Sequence, residues 1–162
     1  MYFLFQLNQY ILLVKHLFGL GAEKELITAG SERVSFPFNK WKINLQICYD
    51  LRFPVWMRNT DSVDLILIVA NWPAPRVQAW RSLLVARAIE NQCFVVGVNR
   101  LGVDGNGLDY TGDSLVVDPT GNILLDAGNK PGMYSIELDY DFIADFRNKF
   151  PFLKDADQFN LK

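Results

Sequence analysis

The sequence predicts an α/β domain built in layers, and three observations point to it. Two continuous apolar runs, "VDLILIVAN" at 63–71 and "CFVVGVN" at 93–99, read as strands covered on both faces. Between them, "VQAWRSLLVARAIENQ" at 77–92 sets Trp80, Leu83, Leu84 and Ala88 at helical spacing. Around this unit, short apolar runs separated by turn residues read as hairpins. A chain of 162 residues with 50% hydrophobic content is long enough for one domain with its own core.

The elements follow in order. Residues 1–14 form two short apolar segments around Gln6–Gln9, the pattern of a hairpin. Residues 19–33, with Gly19, Gly21 and Gly30, read as a loop with one helical turn. "RVSFPF" and "KWKINLQI" flank Asn39-Lys40 and predict a second hairpin. In its second arm Ile43, Leu45 and Ile47 alternate with Lys42, Asn44 and Gln46, which predicts one buried face. After the strand–helix–strand unit, residues 100–114 form a Gly/Asp-rich loop of the kind that often carries function. "LVVDPTGNILLDAG" at 115–128 is strand, turn and strand, and "MYSIELD" at 133–139 alternates as a strand does. "DFIADFRNKF" is helical and ends before Pro151. No repeat or low-complexity linker divides the chain, so 1–162 reads as a single domain.

Charge and cysteine usage exclude several classes. A net charge of −2 without a basic stripe argues against nucleic acid as a partner. No apolar stretch reaches membrane-spanning length. The apolar start is broken by Gln6, Asn8 and Gln9 and lacks a basic region and a cleavage site, so it does not read as a signal peptide. Cys48 and Cys93 lie in apolar runs and outside any CxxC pair, which fits a reducing, cytoplasmic setting. A single histidine in the chain argues against a zinc site.

The chemistry centres on "INLQICYDLRFP", residues 43–54. Cys48 ends an apolar strand where the chain turns, and a side chain on a sharp strand-to-helix turn is presented outward as a nucleophile. On the residues alone a packed core thiol is the favoured reading. A catalytic thiol needs a base or a nearby cation. His16 could pair with it as in a thiol protease, although a histidine hydrogen-bonded at a strand end is the commoner role. Glu23, Glu25 and Glu90 are carboxylates of the right type, and Lys15 is the corresponding cation. For each of them, taken singly, a solvated surface charge is the favoured reading. Cys93 reads as core. Trp72, in "ANWPAPR" at the end of a buried strand, either walls a pocket or packs beneath its loop. The G-x-x-G-x-G run from Gly102 to Gly107 lacks a following helix and fails as a dinucleotide fingerprint.

Taken together, "KINLQICYDLRFPVWMRN", "ILIVANWPAPRVQAWRSLLVARAIENQCFVVGVNRLG" and "DYTGDSLVVDPTGNILLDAG" resemble the nitrilase (carbon–nitrogen hydrolase) superfamily. The resemblance runs from about His16 to the C-terminus, and "CYDLRFPVW" with "NWPAPR" is most similar to its omega-amidase branch. It implies an αββα sandwich and a Glu–Lys–Cys triad, with Cys48 in the nucleophile position. It implies hydrolysis of the terminal amide of 2-oxoglutaramate or 2-oxosuccinamate through a thioester, without metal or organic cofactor. Tyr49, Trp72 and Asn99 become pocket residues, and Glu23, seven residues beyond His16, matches a supporting glutamate.

The departures from the family are specific. The family lysine belongs to a K-x-H-L-F motif, where this chain reads "LLVKHLF". Ungapped, the lysine position holds Val14, whereas a one-residue deletion puts Lys15 there. The family's base glutamate lies in an earlier part of the domain, so the chain reads as a C-terminal portion of a sandwich incomplete at its N-terminus. That leaves two expectations. One is an amidase, self-associating as a homodimer or pairing with a missing N-terminal portion. The other is an inactive chain that only binds.

Overall fold

A computed structural model describes residues 6–7, 10–11, 14–19 and 23–159. Near the start, β1 (Gln6–Leu7) pairs antiparallel with β2 (Tyr10–Ile11); the rest of the hairpin expected over 1–14 lies outside the described residues, apart from Val14. The helical turn expected in 19–33 is α1 (Glu23–Leu26).

The main body is a six-stranded sheet made of β3 (Val34–Phe38), β4 (Trp41–Ile47), β5 (Leu65–Ala70), β6 (Phe94–Asn99), β9 (Leu115–Val117) and β10 (Ile123–Asp126). Its spatial order is β10-β9-β6-β5-β4-β3. The central trio β4, β5 and β6 is parallel, with Ile43 opposite Leu65 and Leu65 opposite Phe94, while β3, β9 and β10 join antiparallel. The parallel link from β5 to β6 runs through α2 (Val77–Asn91), as a parallel pair requires.

The apolar runs are continuous because both faces of the central strands are covered. On one face Ile66, Ile68, Val95, Leu115 and Val117 meet Trp80, Leu84 and Ala88 of α2. On the other, Ile43, Leu45, Ile47, Leu65 and Phe94 meet Ile143 of α3 (Tyr140–Lys149). Burial of a side chain such as Leu84 contributes roughly 1.5–3 kcal/mol. Gly97 permits the close approach of α2, since a Cβ there would lie 2.5 Å from Leu84 Cδ1 and 2.8 Å from Trp80 Cζ2.

Both long helices are closed by local hydrogen bonds. Gln92, left-handed at φ 46°, closes α2 while the Cys93 amide donates to the Ala88 carbonyl. Asp139 caps α3 by accepting from the amides of Asp141 and Phe142. Arg147 then ties α3 to the sheet, donating to Asp64 and to the carbonyls of Val63 and Gln92.

The layered α/β class is borne out, and the structure refines four local expectations. Asn44 and Gln46 are buried along with the apolar residues of β4, so the alternation does not mark a solvent face. The reason is a polar chain inside the fold: Trp56 Nε1 donates to Gln46, Gln46 to Asn44, and Asn44 to Ser35. The 100–114 loop contains a small hairpin, β7 (Leu101–Val103) with β8 (Asp109–Thr111). Residues 133–139 alternate but join no strand; Met133 and Tyr134 are exposed, so no sheet neighbour rewards the pattern. Cys93 is buried just before β6 rather than inside it. Among the described residues no helix is long and apolar enough to cross a membrane.

Candidate active site

The carboxyl ends of the three parallel strands converge, the place where open α/β sheets bind ligands. β4 ends at Ile47 in extended conformation, and Cys48 follows at φ 43°, opening a single turn of 3-10 helix over Cys48–Arg52. A left-handed backbone at a residue with a Cβ is unfavourable, of order 1–2 kcal/mol, and such strain gathers at functional turns. The turn sets the half-buried Cys48 between the two apolar clusters, with Sγ 3.9 Å from the carbonyl oxygen of Asn71 at the end of β5. Burial pushes the Cys48 thiol up to about 11. The contact with Asn71 and the charge of Arg76 oppose that rise, whereas Glu23 and Asp50 add to it.

Two carboxylates hold the chain around the thiol. Glu23 Oε2 accepts from the Phe18 amide at 2.7 Å. Asp50, buried two residues beyond Cys48, accepts from the amides of Lys15 and His16 and lies 2.8 Å from His16 Nδ1. Burial raises the Asp50 carboxyl, and the hydrogen bonds from His16 and Lys15 pull it back. The His16 ring also stacks on Phe53 with centroids 3.6 Å apart. Tyr49 packs edge-on against Phe18 and Phe53.

Asn99 ties the neighbouring loops together at the end of β6. Its Oδ1 accepts from the Trp72 amide, and its Nδ2 donates to the carbonyls of Trp72 and Gly112. Trp72 is buried, donates its indole N–H to the Arg76 carbonyl, and carries the Arg52 guanidinium over its ring at 5.0 Å.

The other sequence candidates have surroundings of their own. Lys15 Nζ lies 5.6 Å from the centroid of the Trp56 ring, while Val14 packs against the apolar cluster that Cys48 also borders. Glu25 is exposed, Glu90 pairs with Arg87 at 2.9 Å, and Cys93 is fully buried with its thiol pushed up to about 12. Among the described residues no group of three or more His, Cys, Asp or Glu could hold a metal ion. Sequence reasoning did not single out Arg76 or the clamp at Asp50. The Arg at the end of "WPAPR" was visible, but nothing in the sequence brought it to the thiol.

The model of the carbon-nitrogen hydrolase family matches residues 15–148. The chain belongs to this family. Within the carbon-nitrogen hydrolases it is 48% identical over 148 residues to a protein of Escherichia coli K12 named omega-amidase YafV, covering 91% of this chain and 58% of the relative. It is 41% identical to a 2-oxoglutaramate amidase of Bacillus subtilis, covering 86% of this chain and 54% of the relative. The chain therefore spans little more than half the length of these relatives. Among solved structures, it superimposes on a CN-hydrolase superfamily protein of Xanthomonas campestris with a TM-score of 0.89 at 44% identity, over 92% of this chain and 59% of that one. That structure contains an arsenic adduct in its active site. A Nesterenkonia amidase variant, 28% identical with a TM-score of 0.73 over 85% of this chain and 55% of that one, contains acrylamide added to its active-site cysteine. The omega-amidase resemblance of "CYDLRFPVW" and "NWPAPR" is borne out by these relatives.

Proposed function

We propose that this chain carries the nucleophile of an amidase that removes the terminal amide from small omega-amides of the 2-oxoglutaramate or 2-oxosuccinamate type. The observation that supports the reading most is Cys48, held left-handed at the end of β4 with the charges of Glu23, Asp50 and Arg76 acting on it. The names of the relatives supply the substrate class.

In this reading the Cys48 thiol gives its proton to a carboxylate as Sγ attacks the amide carbon. The tetrahedral intermediate collapses, the amide nitrogen takes a proton, and ammonia leaves a thioester. Water then attacks the thioester carbon, the carboxylic acid departs, and Sγ regains its proton. A thiol at about 11 is almost wholly protonated at neutral pH, so attack needs a base in place. Glu23 serves as the supporting carboxylate. A cation and a backbone N–H beside Cys48 would stabilise the oxyanion, and Lys15 is the residue of this chain assigned to the cation's role. Tyr49, Trp72 and Asn99 shape the pocket, with Asn99 acting through the loops it ties. A homodimer, or pairing with the part of the family domain that the chain does not span, belongs to the same proposal, as does a reducing, cytoplasmic setting for two free cysteines.

A second reading, a chain that binds without catalysis, is favoured by two observations: the raised thiol and the seat of Lys15 over Trp56. Ammonia release from 2-oxoglutaramate decides between them. Release by the wild type that is lost in Cys48→Ala supports the amidase. No release by the folded chain, or release that survives Cys48→Ala, overturns it.

A further inference from the structure

We propose that Arg87 is a positioning residue for the nucleophile, its buried guanidinium holding the Leu51 carbonyl so that Cys48 keeps its left-handed seat at the end of β4. The catalytic meaning of this support rests on the amidase reading above.

Arg87 occupies a place that α2 otherwise fills with core. Positions 80, 84, 87 and 88 share one face of the helix, and Trp80, Leu84 and Ala88 there are fully buried. Arg87 is only 3% exposed, and among the described residues its Nε has no acceptor. Taking a guanidinium out of water is costly, and an apolar side chain of similar size fills such a place without that cost. Packing alone therefore does not account for an arginine here.

The other two nitrogens of the guanidinium supply a reason. Nη2 donates to the Leu51 carbonyl at 2.7 Å, and Nη1 donates to Glu90 Oε1 at 2.9 Å. Leu51 is fully buried in the 3-10 turn that Cys48 opens. Carbonyls at the end of such a turn have no partner within it, and Arg87 provides one. Glu90 orients the fork, and Arg58 Nη1 holds the Glu90 carbonyl at 2.8 Å. Asp50 anchors the same turn on its other side, to the amides of Lys15 and His16. The Arg87 anchor joins it to a helix already packed on the sheet through Trp80 and Leu84 over Gly97. A left-handed residue with a Cβ persists only where its surroundings over-determine it, and Cys48 sits at φ 43°. Loss of Arg87 lets the turn relax and frees Sγ from its contact with the Asn71 carbonyl.

The test is the pH profile of Cys48 alkylation by iodoacetamide, read by peptide mass on the full chain. Cys93 serves as the internal reference, and a urea midpoint is taken alongside. In the wild type the rate should level off near 11. In Arg87→Met we expect the profile to move toward the ordinary 9.0, because a loosened turn lets water reach the thiol. The Cys48 rate at neutral pH should then rise about tenfold per pH unit moved, with Cys93 unchanged. Arg87→Lys, which still offers a donor to the Leu51 carbonyl, should recover part of the shift. A lower urea midpoint with an unmoved Cys48 profile overturns the proposal and leaves Arg87 a role in stability alone. A profile moved to higher pH also overturns it, because that is the effect of removing a positive charge that acts on the thiol directly. Equal rises at Cys48 and Cys93 overturn it as general loosening. Should Arg87→Met fail to fold, Arg87→Lys and Glu90→Gln decide: a smaller shift in the same direction supports the proposal, and unmoved profiles in both overturn it. Ammonia release is read separately, so its absence in the wild type overturns the amidase reading and leaves the support of the turn standing.

Discussion

His16 Nδ1 and Asp50 Oδ1 lie 2.8 Å apart, and the amides of Lys15 and His16 donate to the same carboxylate. Asp50 thus joins the turn that presents Cys48 to the chain segment that precedes it by more than thirty residues. Asp50→Ala leaves two backbone amides and the imidazole without their acceptor inside the fold. The expected cost is about 1–3 kcal/mol, measured as a drop in the urea midpoint. A midpoint equal to that of the wild type would show that the clamp contributes nothing to stability.

The thiol of Cys48 should behave as a buried acid. Alkylation should be slow at neutral pH and climb about tenfold per pH unit, levelling off near 11. Because burial raises the folded thiol above its ordinary 9.0, the folded state keeps its proton where the unfolded state has lost it. The resulting stabilisation is fully present below pH 9.0 and is lost as pH rises toward 11. Labelling that plateaus near neutral pH would contradict this.

Gly97 on β6 faces Trp80 and Leu84 of α2. Gly97→Ala forces a methyl group into space already filled by two fully buried side chains. Overpacking of this kind costs roughly 1–3 kcal/mol, and thermal unfolding measures it. An unchanged or raised Tm would mean that α2 can shift away from the sheet without loss.

Asn99 makes three hydrogen bonds with the backbones of the Trp72 and Gly112 loops. Asn99→Ala should loosen both loops, and the Cys48 site should feel it because Asn71 precedes Trp72. We expect faster alkylation of Cys48, with buried Cys93 as the internal reference, together with a lower urea midpoint. A lower midpoint at an unchanged Cys48-to-Cys93 labelling ratio would confine the role of Asn99 to stability.

The sequence by itself determined the strand–helix–strand centre, the Asn39-Lys40 hairpin, α3 and the family, because each is written locally. Apolar runs, helical spacing and turn residues are properties of neighbouring positions, and the motifs around Cys48 and Trp72 are contiguous. Tertiary structure decided what those residues touch. Lys15 and Glu23 were both named from the sequence, yet only the fold sets Lys15 over Trp56 and brings the charge of Glu23 to the thiol. The same holds for Asn44 and Gln46, whose polar side chains are buried because Trp56 and Ser35 arrive from other segments to satisfy them. It holds for Arg76, whose guanidinium is set over the Phe18 ring and whose charge bears on the Cys48 thiol only through the fold. Hydrogen bonds and charges act through a few ångströms of space, and the residues that share that space here stand up to dozens of positions apart in the chain.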